Sequence, residues 1–332
     1  MFLTMLTTAL VAAAKTPQWT DYVANGKASA VIHATGYSVE VLSYAWDKYA
    51  DELIAMLADL RNPICLSDEL VSAYWFLALV FIHQYPRWNK LIPNTLHTRI
   101  TGRVSVQKFY SIVVPILCTF SECVNEIKWE ERLNPLNHGT HFMKERFTTI
   151  FDGTNINVQN VSNKKLNRVL FSGSKYNHCC LKIMIGITFM GTIVHYTGPH
   201  IGTMHDATIL KKYPPNFEEW EWGMGDGAFE DNYHILVKYQ QPAGGVLTEA
   251  QVYMNGLFNY WRVRVEHIIR EVKRHDMFCG VYRGSYGLLK SAIDLTVHMT
   301  NIKIKCSLPR YETCGPWGHE PGSYQNKRAR TN

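Results

Sequence analysis

The sequence has no C-x-x-C pair and no cluster of cysteines and histidines at the spacing of zinc ligands. These absences exclude the common zinc-binding modules and a thioredoxin-like redox site. The eight cysteines are scattered, except for Cys179 and Cys180, which adjoin each other within an apolar run and are typical of small core residues. The pattern predicts reduced thiols in an intracellular protein.

No apolar run is long enough to span a membrane. The longest, "SAYWFLALVFI" (72–82), predicts a buried helix instead. The first residues, "MFLTMLTTALVAAAK", are apolar and small like those of a signal peptide, but no basic residue precedes the apolar part. We therefore predict an amphipathic first helix here rather than a secretion signal.

The sequence also lacks an excess of acidic residues, since 34 Lys and Arg against 28 Asp and Glu give a net charge of +6. This net charge is compatible with a polyanionic partner but does not require one. With 46% hydrophobic and 19% charged residues, the 332-residue chain has the composition of a globular protein. Its length suggests two domains or one large one.

The first part of the chain has the hydrophobic pattern of helices. The segments with this pattern are "DELIAMLADL" (51–60), "SDELVSAYWFLALVFI" (67–82) and "SVQKFYSIVVPILCTFSECVNEI" (105–127). We predict a helical region over residues 1–130 and a linker over 131–145, where Asn, Pro and Gly accumulate. Residues 102–117 could form the second helix of a helix-turn-helix or part of a plain helical bundle, and the pattern leaves both open.

The second part has the pattern of strands. Residues 146–154 end on Asp-Gly, and residues 180–189 and 192–198 predict a hairpin around Met190-Gly191. A shorter strand is predicted in 221–229 and a helix from about Asn259 to Arg274. The predicted class is α/β, and the Gly-rich, polar end of the chain (306–332) is predicted to be a flexible tail.

Several carboxylates of this second part lie next to predicted strands. Asp152 follows one strand, Asp226 follows another between two glycines, and Asp206 begins a short helical segment. Carboxylates at the ends of strands converge at one edge of an open sheet. Hard divalent cations prefer such oxygen ligands, and two of them can promote cleavage of a phosphodiester.

Each carboxylate also has an ordinary structural interpretation. An Asp before Gly commonly forms a turn, which would account for Asp152 and Asp226, and Asp206 could be a helix N-cap. Glu266 has Arg262 four residues before it, a spacing typical of an exposed ion pair. Against that interpretation, Glu266 lies at the border of the apolar face of its helix rather than opposite it.

Four segments together carry a resemblance to a known family. They are "FDGTNINV", "LFSGSKYNHCCLKIMIGITFMGTIVHYTGPHIGTMHDATIL", "GMGDGAF" and "FNYWRVRVEHIIREVKR". In this order they resemble the DDE-type endonuclease domain of PIF/Harbinger-like transposases, over roughly residues 147–280. That family typically shows D-G-T, a Y-x-S-G-K-like segment, H-D-S, G-D-x-G-Y and R-x-x-V-E.

The resemblance implies an RNase H-like fold, a mixed sheet flanked by helices, for a nuclease domain over residues 146–305. It implies that Asp152, Asp226 and Glu266 are catalytic and bind two Mg²⁺ or Mn²⁺ ions. Asp206 matches the H-D-S aspartate and would be a further metal ligand or a structural cap. The side chains expected to contact DNA are Lys175, Arg262, Arg264 and Lys273.

The implied activity is cleavage of DNA at transposon terminal repeats. It would place the protein in the nucleus, where "NKRAR" (326–330) is a weak import-like cluster. A homo-oligomer and a separate DNA-binding protein are among the partners the resemblance allows. The family's G-D-x-G-Y reads Gly-Asp-Gly-Ala-Phe at 225–229, so a domesticated copy that binds DNA or protein without cutting is the alternative. A phosphohydrolase of small substrates is the third hypothesis.

Overall fold

The computed structural model describes residues 28–60, 68–85, 97–98, 102–103, 106–138, 146–172, 178–230 and 234–307. The first 27 residues, the predicted tail after residue 307 with its basic cluster, and Lys175 lie outside the described residues. Within the described part, no helix is both long enough and apolar enough to cross a bilayer.

In the described residues the helices are α1 (Ala28–Thr35), α2 (Val39–Ala58), α3 (Asp68–Gln84), α4 (Val106–Cys123), α5 (Pro135–His138), α6 (Lys164–Leu170), α7 (Asp206–Lys212), α8 (Glu249–Val272), α9 (Asp276–Cys279) and α10 (Tyr286–Cys306). Two 3₁₀ helices span Trp129–Leu133 and Gly227–Phe229. The strands are β1 (His97–Thr98), β2 (Gly102–Arg103), β3 (Phe147–Val158), β4 (Phe171–Ser172), β5 (His178–Ile187), β6 (Ile193–Ile201), β7 (Trp222–Met224), β8 (Ile235–Leu236) and β9 (Val281–Tyr282).

The chain divides into two compact units. Of the described residues, one unit contains those within Met1–Glu126, Ile156–Leu181 and Arg270–Cys306, and the other contains those within Ile127–Asn155, Lys182–Ile269 and Ser307–Asn332. The predicted linker 131–145 includes part of the first 3₁₀ helix and all of α5. The domain boundaries proposed from the sequence remain a prediction.

The first unit is built mainly of helices. Helix α4 packs against α2, α3 and α10, and α1 packs against α3. The buried residues of α2 recur every three or four positions, so one stripe of the helix faces the core. The three helices predicted from the pattern are confirmed here, whereas α10 was not predicted. A helix-turn-helix around α4 stays a prediction.

The strands β3 to β9 form one seven-stranded sheet in the order β4-β5-β3-β7-β8, with β6 on β5 and β9 on β3. Strand β3 runs parallel to β7 and β9, and β7 runs parallel to β8, whereas β4 and β5 are antiparallel. The sheet is therefore mixed. The predicted α/β class, with a mixed sheet and an N-terminal helical region, is confirmed.

Strand β3 is longer than its sequence pattern predicted. The pattern ended it at the Asp-Gly of 152–153, but the strand continues to Val158. Its last residues pair with β9, as Asn157 with Val281 and Val158 with Tyr282. This partner lies more than 120 residues away in the chain, so no local pattern indicates that the strand continues. Asp152 therefore lies inside a strand, and the prediction that it follows a strand end was wrong.

The core of the second unit surrounds Phe151. This ring is fully buried together with residues of β5, α7, the second 3₁₀ helix and β8, namely Met184, Ile209, Leu210, Phe229 and Ile235. In the adjacent strand β7, a Cβ at Gly223 would lie 2.7 Å from the Phe151 ring. Only glycine leaves room for the ring at that position, so Phe151 anchors β3 against its neighbour.

Candidate active site

Three adjacent parallel strands bring Asp152 and Asp226 to the same level. Ile150 of β3 pairs with Met224 of β7, and Met224 pairs with Leu236 of β8. Two positions after these paired residues, the chain has Asp152, Asp226 and Lys238, respectively. Because neighbouring strands are about 4.8 Å apart and side chains two residues apart share a face, this register places the two carboxylates side by side. The predicted strand before Asp226 is confirmed as β7.

Helix α8 contributes the third carboxylate. Trp261, Val265 and Ile268 are buried and fix which stripe of the helix faces the core. Glu266 lies beside that stripe, 42% exposed at its side chain, and Arg262 lies one turn before it. The Arg262 guanidinium donates to Glu266 Oε1 at 2.5 Å. The ion pair suggested by the spacing is thus present.

The same guanidinium also faces Asp226. Arg262 Nη1 is 3.7 Å from Asp226 Oδ2. A strand-end aspartate and a helix glutamate therefore share one cation, although 40 residues separate them in the chain.

Asp152 belongs electrostatically to the same group. The pKa of Asp152 is raised to about 6, mainly by burial; the Arg262 charge lowers it, and the neighbouring charges of Asp226 and Glu266 contribute to raising it. The backbone N–H of Gly153 donates to Asp152 Oδ1 at 2.8 Å and stabilises the charged form. The structure thus brings Asp226 and Glu266 to the Arg262 guanidinium, and their charges and that of Arg262 act on Asp152.

The raised pKa predicts that the charge of Asp152 costs stability. The ordinary pKa of the group is 3.8 and its folded value is about 6, so the folded protein binds this proton more tightly than the unfolded chain does. We expect Asp152→Asn to raise the free energy of unfolding at pH 7.5 by about 2 kcal/mol, less than the full shift because the carboxyl is partly exposed. The gain should shrink as the pH falls through about 6 and be lost below roughly pH 3, where the carboxyl is protonated in both states. Urea unfolding at several pH values measures it, and a gain that does not change with pH would contradict the prediction.

Asp206 lies on the other face of β3. A Cβ at Gly153 would be 3.0 Å from the Asp206 carboxyl, and side chains alternate along a strand, so Asp206 faces the side opposite to Asp152. Its carboxyl pairs with Lys182 of β5 at 3.2 Å. The N-cap of α7 is His205, and Asp206 is the first helical residue. The structure therefore does not bring Asp206 to the other three acids.

The turn interpretation holds in part for Asp226. Its Oδ1 accepts from the backbone N–H of Ala228 at 2.9 Å, and the residue caps the second 3₁₀ helix. The capping oxygen is Oδ1, whereas Oδ2 faces Arg262. One carboxylate thus fixes the loop after β7 and also presents an oxygen to the site.

The residues predicted to contact DNA have different environments. Arg264 is 4% exposed, its guanidinium donates to the main-chain carbonyl of Phe189, and it stacks 4.3 Å from the Trp261 ring. Its contacts are those of a core residue. Lys273 belongs to the first unit and is partly buried, and burial lowers its pKa. Of the predicted set, Arg262 lies next to the acids.

A family model described as DDE superfamily endonuclease matches residues 151–302, somewhat less than half of the chain. Residues 151–302 are therefore similar to the DDE superfamily endonucleases. The match contains all four acids proposed from the sequence, and it confirms the resemblance at the level of the superfamily. The PIF/Harbinger subgroup stays a prediction. No curated protein and no solved structure matches the chain.

Lys238 is the residue of the DDE domain that sequence reasoning missed. It follows the two-residue strand β8, which was not predicted because so short a strand has no periodic pattern. Burial lowers the pKa of Lys238, and so does the charge of Arg262, while Glu266 and Asp226 raise it. A second cation therefore adjoins the acids. Aligning β8 in register with the parallel strand β7 would have identified Lys238 as a neighbour of the acids.

The donor set of the DDE domain suits a hard divalent cation. Carboxylate oxygens are the ligands that Mg²⁺ and Mn²⁺ prefer, and Asp152, Asp226 and Glu266 supply six of them. Among the described residues, however, no three acidic, histidine or cysteine side chains are arranged to hold one ion. Two of the three carboxylates are engaged by the Arg262 guanidinium instead. The three carboxylates are thus of the right type to bind a divalent cation, but their side chains would have to rearrange to bind one together.

Proposed function

We propose that the DDE domain is a metal-dependent DNA endonuclease of the transposase type. The observation that carries this proposal is that Asp226 and Glu266 share the Arg262 guanidinium, with Asp152 beside Asp226 in the register of the two strands. In a domain similar to the DDE superfamily endonucleases, this arrangement supports the chemistry of phosphodiester cleavage.

Each acid has a proposed role. Asp152 and Asp226 would hold a divalent cation from the sheet, and Glu266 would complete its ligands from α8. When bound, one or two such ions supply acidification of water and stabilisation of the leaving oxygen. The acids must be ionised to act as ligands, and the pKa of Asp152 near 6 means that it is mostly charged at neutral pH. Asp206, paired with Lys182 across the strand, is assigned a positioning role.

The substrate would be held by cations next to the acids. Arg262 and Lys238 adjoin the carboxylates, and both can contact phosphate oxygens without reading base sequence. Lys175 and Lys273 are retained from the sequence as further proposed DNA contacts. Transposon terminal repeats as the target, a nuclear location, a homo-oligomer and a separate DNA-binding partner are proposals that follow from the resemblance.

A nicking assay tests the proposal. The full chain is incubated with supercoiled plasmid and Mg²⁺ or Mn²⁺, and a parallel reaction contains EDTA. We expect nicked product only with metal. Equal nicking in EDTA, or none under any of these conditions with folded protein, would count against the endonuclease.

The domesticated alternative also has an observation in its favour. Arg262 already pairs with two of the acids, and a cation held there would keep a divalent ion out. A non-cutting DNA-binding protein would bind duplex DNA with an affinity that falls steeply with salt, with no nicking and no dependence on divalent ions. Binding measured at several salt concentrations beside the nicking assay separates the two functions.

A further inference from the structure

The Arg262 guanidinium pairs with two of the carboxylates that are proposed as metal ligands. It is 2.5 Å from Glu266 Oε1 and 3.7 Å from Asp226 Oδ2, and its charge acts on Asp152. The side chain is 27% exposed, so the group is partly shielded from water. A single residue of α8 therefore makes both ion pairs.

A guanidinium and a divalent ion compete for the same carboxylate oxygens. Each Glu266 or Asp226 oxygen that accepts from Arg262 is less available as a metal ligand. Two positive groups a few ångströms apart also repel each other, more strongly in a partly buried site than in water. The ion pairs of Arg262 must therefore weaken or break when a metal binds.

We propose that Arg262 is a placeholder cation that must leave the acids before a divalent metal can bind. The inference rests on the proposed function, since it takes the three acids to be the metal site. It adds a coupling between metal and substrate. Once released from the acids, the planar guanidinium can bind two oxygens of one phosphate group through a bidentate contact. Metal binding thus prepares a phosphate contact, and DNA binding in turn favours the metal, since such coupling is reciprocal.

Calorimetric titration with Ca²⁺ tests the placeholder without requiring activity. Ca²⁺ prefers oxygen ligands as Mg²⁺ does. We expect Arg262→Gln to bind Ca²⁺ at least about fivefold more tightly than the original chain, because two competing ion pairs are lost. Arg262→Lys keeps the charge without the fork and should fall between the two. Helix content by circular dichroism verifies that α8 is intact.

Arg270→Gln is the matched control. Arg270 lies on the same helix, four residues after Glu266, and is exposed. The Arg270→Gln variant loses the same charge but keeps the ion pairs of Arg262 with Glu266 and Asp226, so its Ca²⁺ affinity should change less than twofold. Equal gains in Arg262→Gln and Arg270→Gln would reduce the effect to net charge and overturn the placeholder.

The outcomes separate this inference from the proposed function. If Ca²⁺ binds the original chain and Asp152→Asn abolishes that binding, the acids are a metal site. An unchanged or weaker Ca²⁺ affinity in Arg262→Gln would then overturn the placeholder alone. If neither the original chain nor Arg262→Gln binds Ca²⁺, the metal site itself fails, and the proposed function fails with it.

A DNA arm tests the coupling. Ca²⁺ titrations are repeated with a saturating 20-base-pair duplex of arbitrary sequence, a length of about two helical turns. We expect the duplex to raise Ca²⁺ affinity several-fold in the original chain and in Arg270→Gln. In Arg262→Gln the increase should be lost. The same increase in all three proteins would contradict the release of Arg262 to phosphate.

Discussion

Glu266→Gln is expected to lower the rate of Mg²⁺- or Mn²⁺-dependent DNA nicking by on the order of a thousandfold or more. The reason is that the amide cannot neutralise a metal ion, and metal assistance is worth several kcal/mol of transition-state stabilisation, with each 1.36 kcal/mol equal to a factor of ten in rate. Asp152→Asn and Asp226→Asn should have losses of the same order. The measurement is the initial rate of plasmid nicking by purified full-length protein.

The control for this series is Glu249→Gln. Glu249 belongs to the same helix as Glu266 and is exposed, so its replacement should leave the nicking rate within about twofold. Thermal unfolding shows whether each variant is folded, and Asp152→Asn should be more stable than the original chain at neutral pH. Normal nicking by Glu266→Gln would show that Glu266 is not a ligand.

The second large effect concerns a buried ion pair that supports the sheet. Arg132 donates from Nε and Nη2 to the two oxygens of Glu221 at 2.7 and 2.9 Å, and these residues are 3% and 0% exposed. The Glu221 carboxylate also accepts from the hydroxyl of Thr148 in β3 and from the backbone N–H of Glu218. Glu221 immediately precedes β7, so this carboxylate ties the starts of β3 and β7 together.

We expect Arg132→Met to lower the free energy of unfolding by roughly 3–5 kcal/mol, because it leaves a carboxylate buried without its cation. The double variant Arg132→Met/Glu221→Leu should lose much less than the sum of the single variants, since it leaves no unpaired charge. Chemical unfolding of the original chain, both single variants and the double variant gives the comparison.

An exposed ion pair supplies the matched control. Lys290 pairs with Asp294 one turn later on α10 at 2.5 Å, and the Lys290 side chain is 53% exposed. Lys290→Met should cost less than about 0.5 kcal/mol. A loss in Arg132→Met as small as that of Lys290→Met would show that the buried pair contributes little.

Local patterns predicted most of the longer elements. Helices α2, α3 and α4 follow from apolar residues at helical spacing, and the β5–β6 pair follows from two β-branched runs around Met190-Gly191. Elements that depend on distant partners escaped prediction. The extension of β3 and the short strands β8 and β9 exist because other strands pair with them, and helix α8 begins ten residues before its predicted start.

In the candidate site, too, residue identities came from the sequence and their arrangement came from the structure. The acids were named from motif order, and their grouping follows from the register of β3 and β7 and from the face of α8. The structure also placed Arg264 in the core, although the resemblance implied that it contacts DNA. Helical position alone could not separate it from Arg262, because both lie near the edge of the apolar face.

The sequence by itself determined the class of the fold and the family resemblance and proposed the three acids, because these depend on residue type and order along the chain. Tertiary structure alone decided that Asp206 faces the opposite side of β3, that Lys238 joins the site, and that one guanidinium lies among the carboxylates. Strand register and helix orientation set these placements, and both are fixed by contacts between residues far apart in the chain.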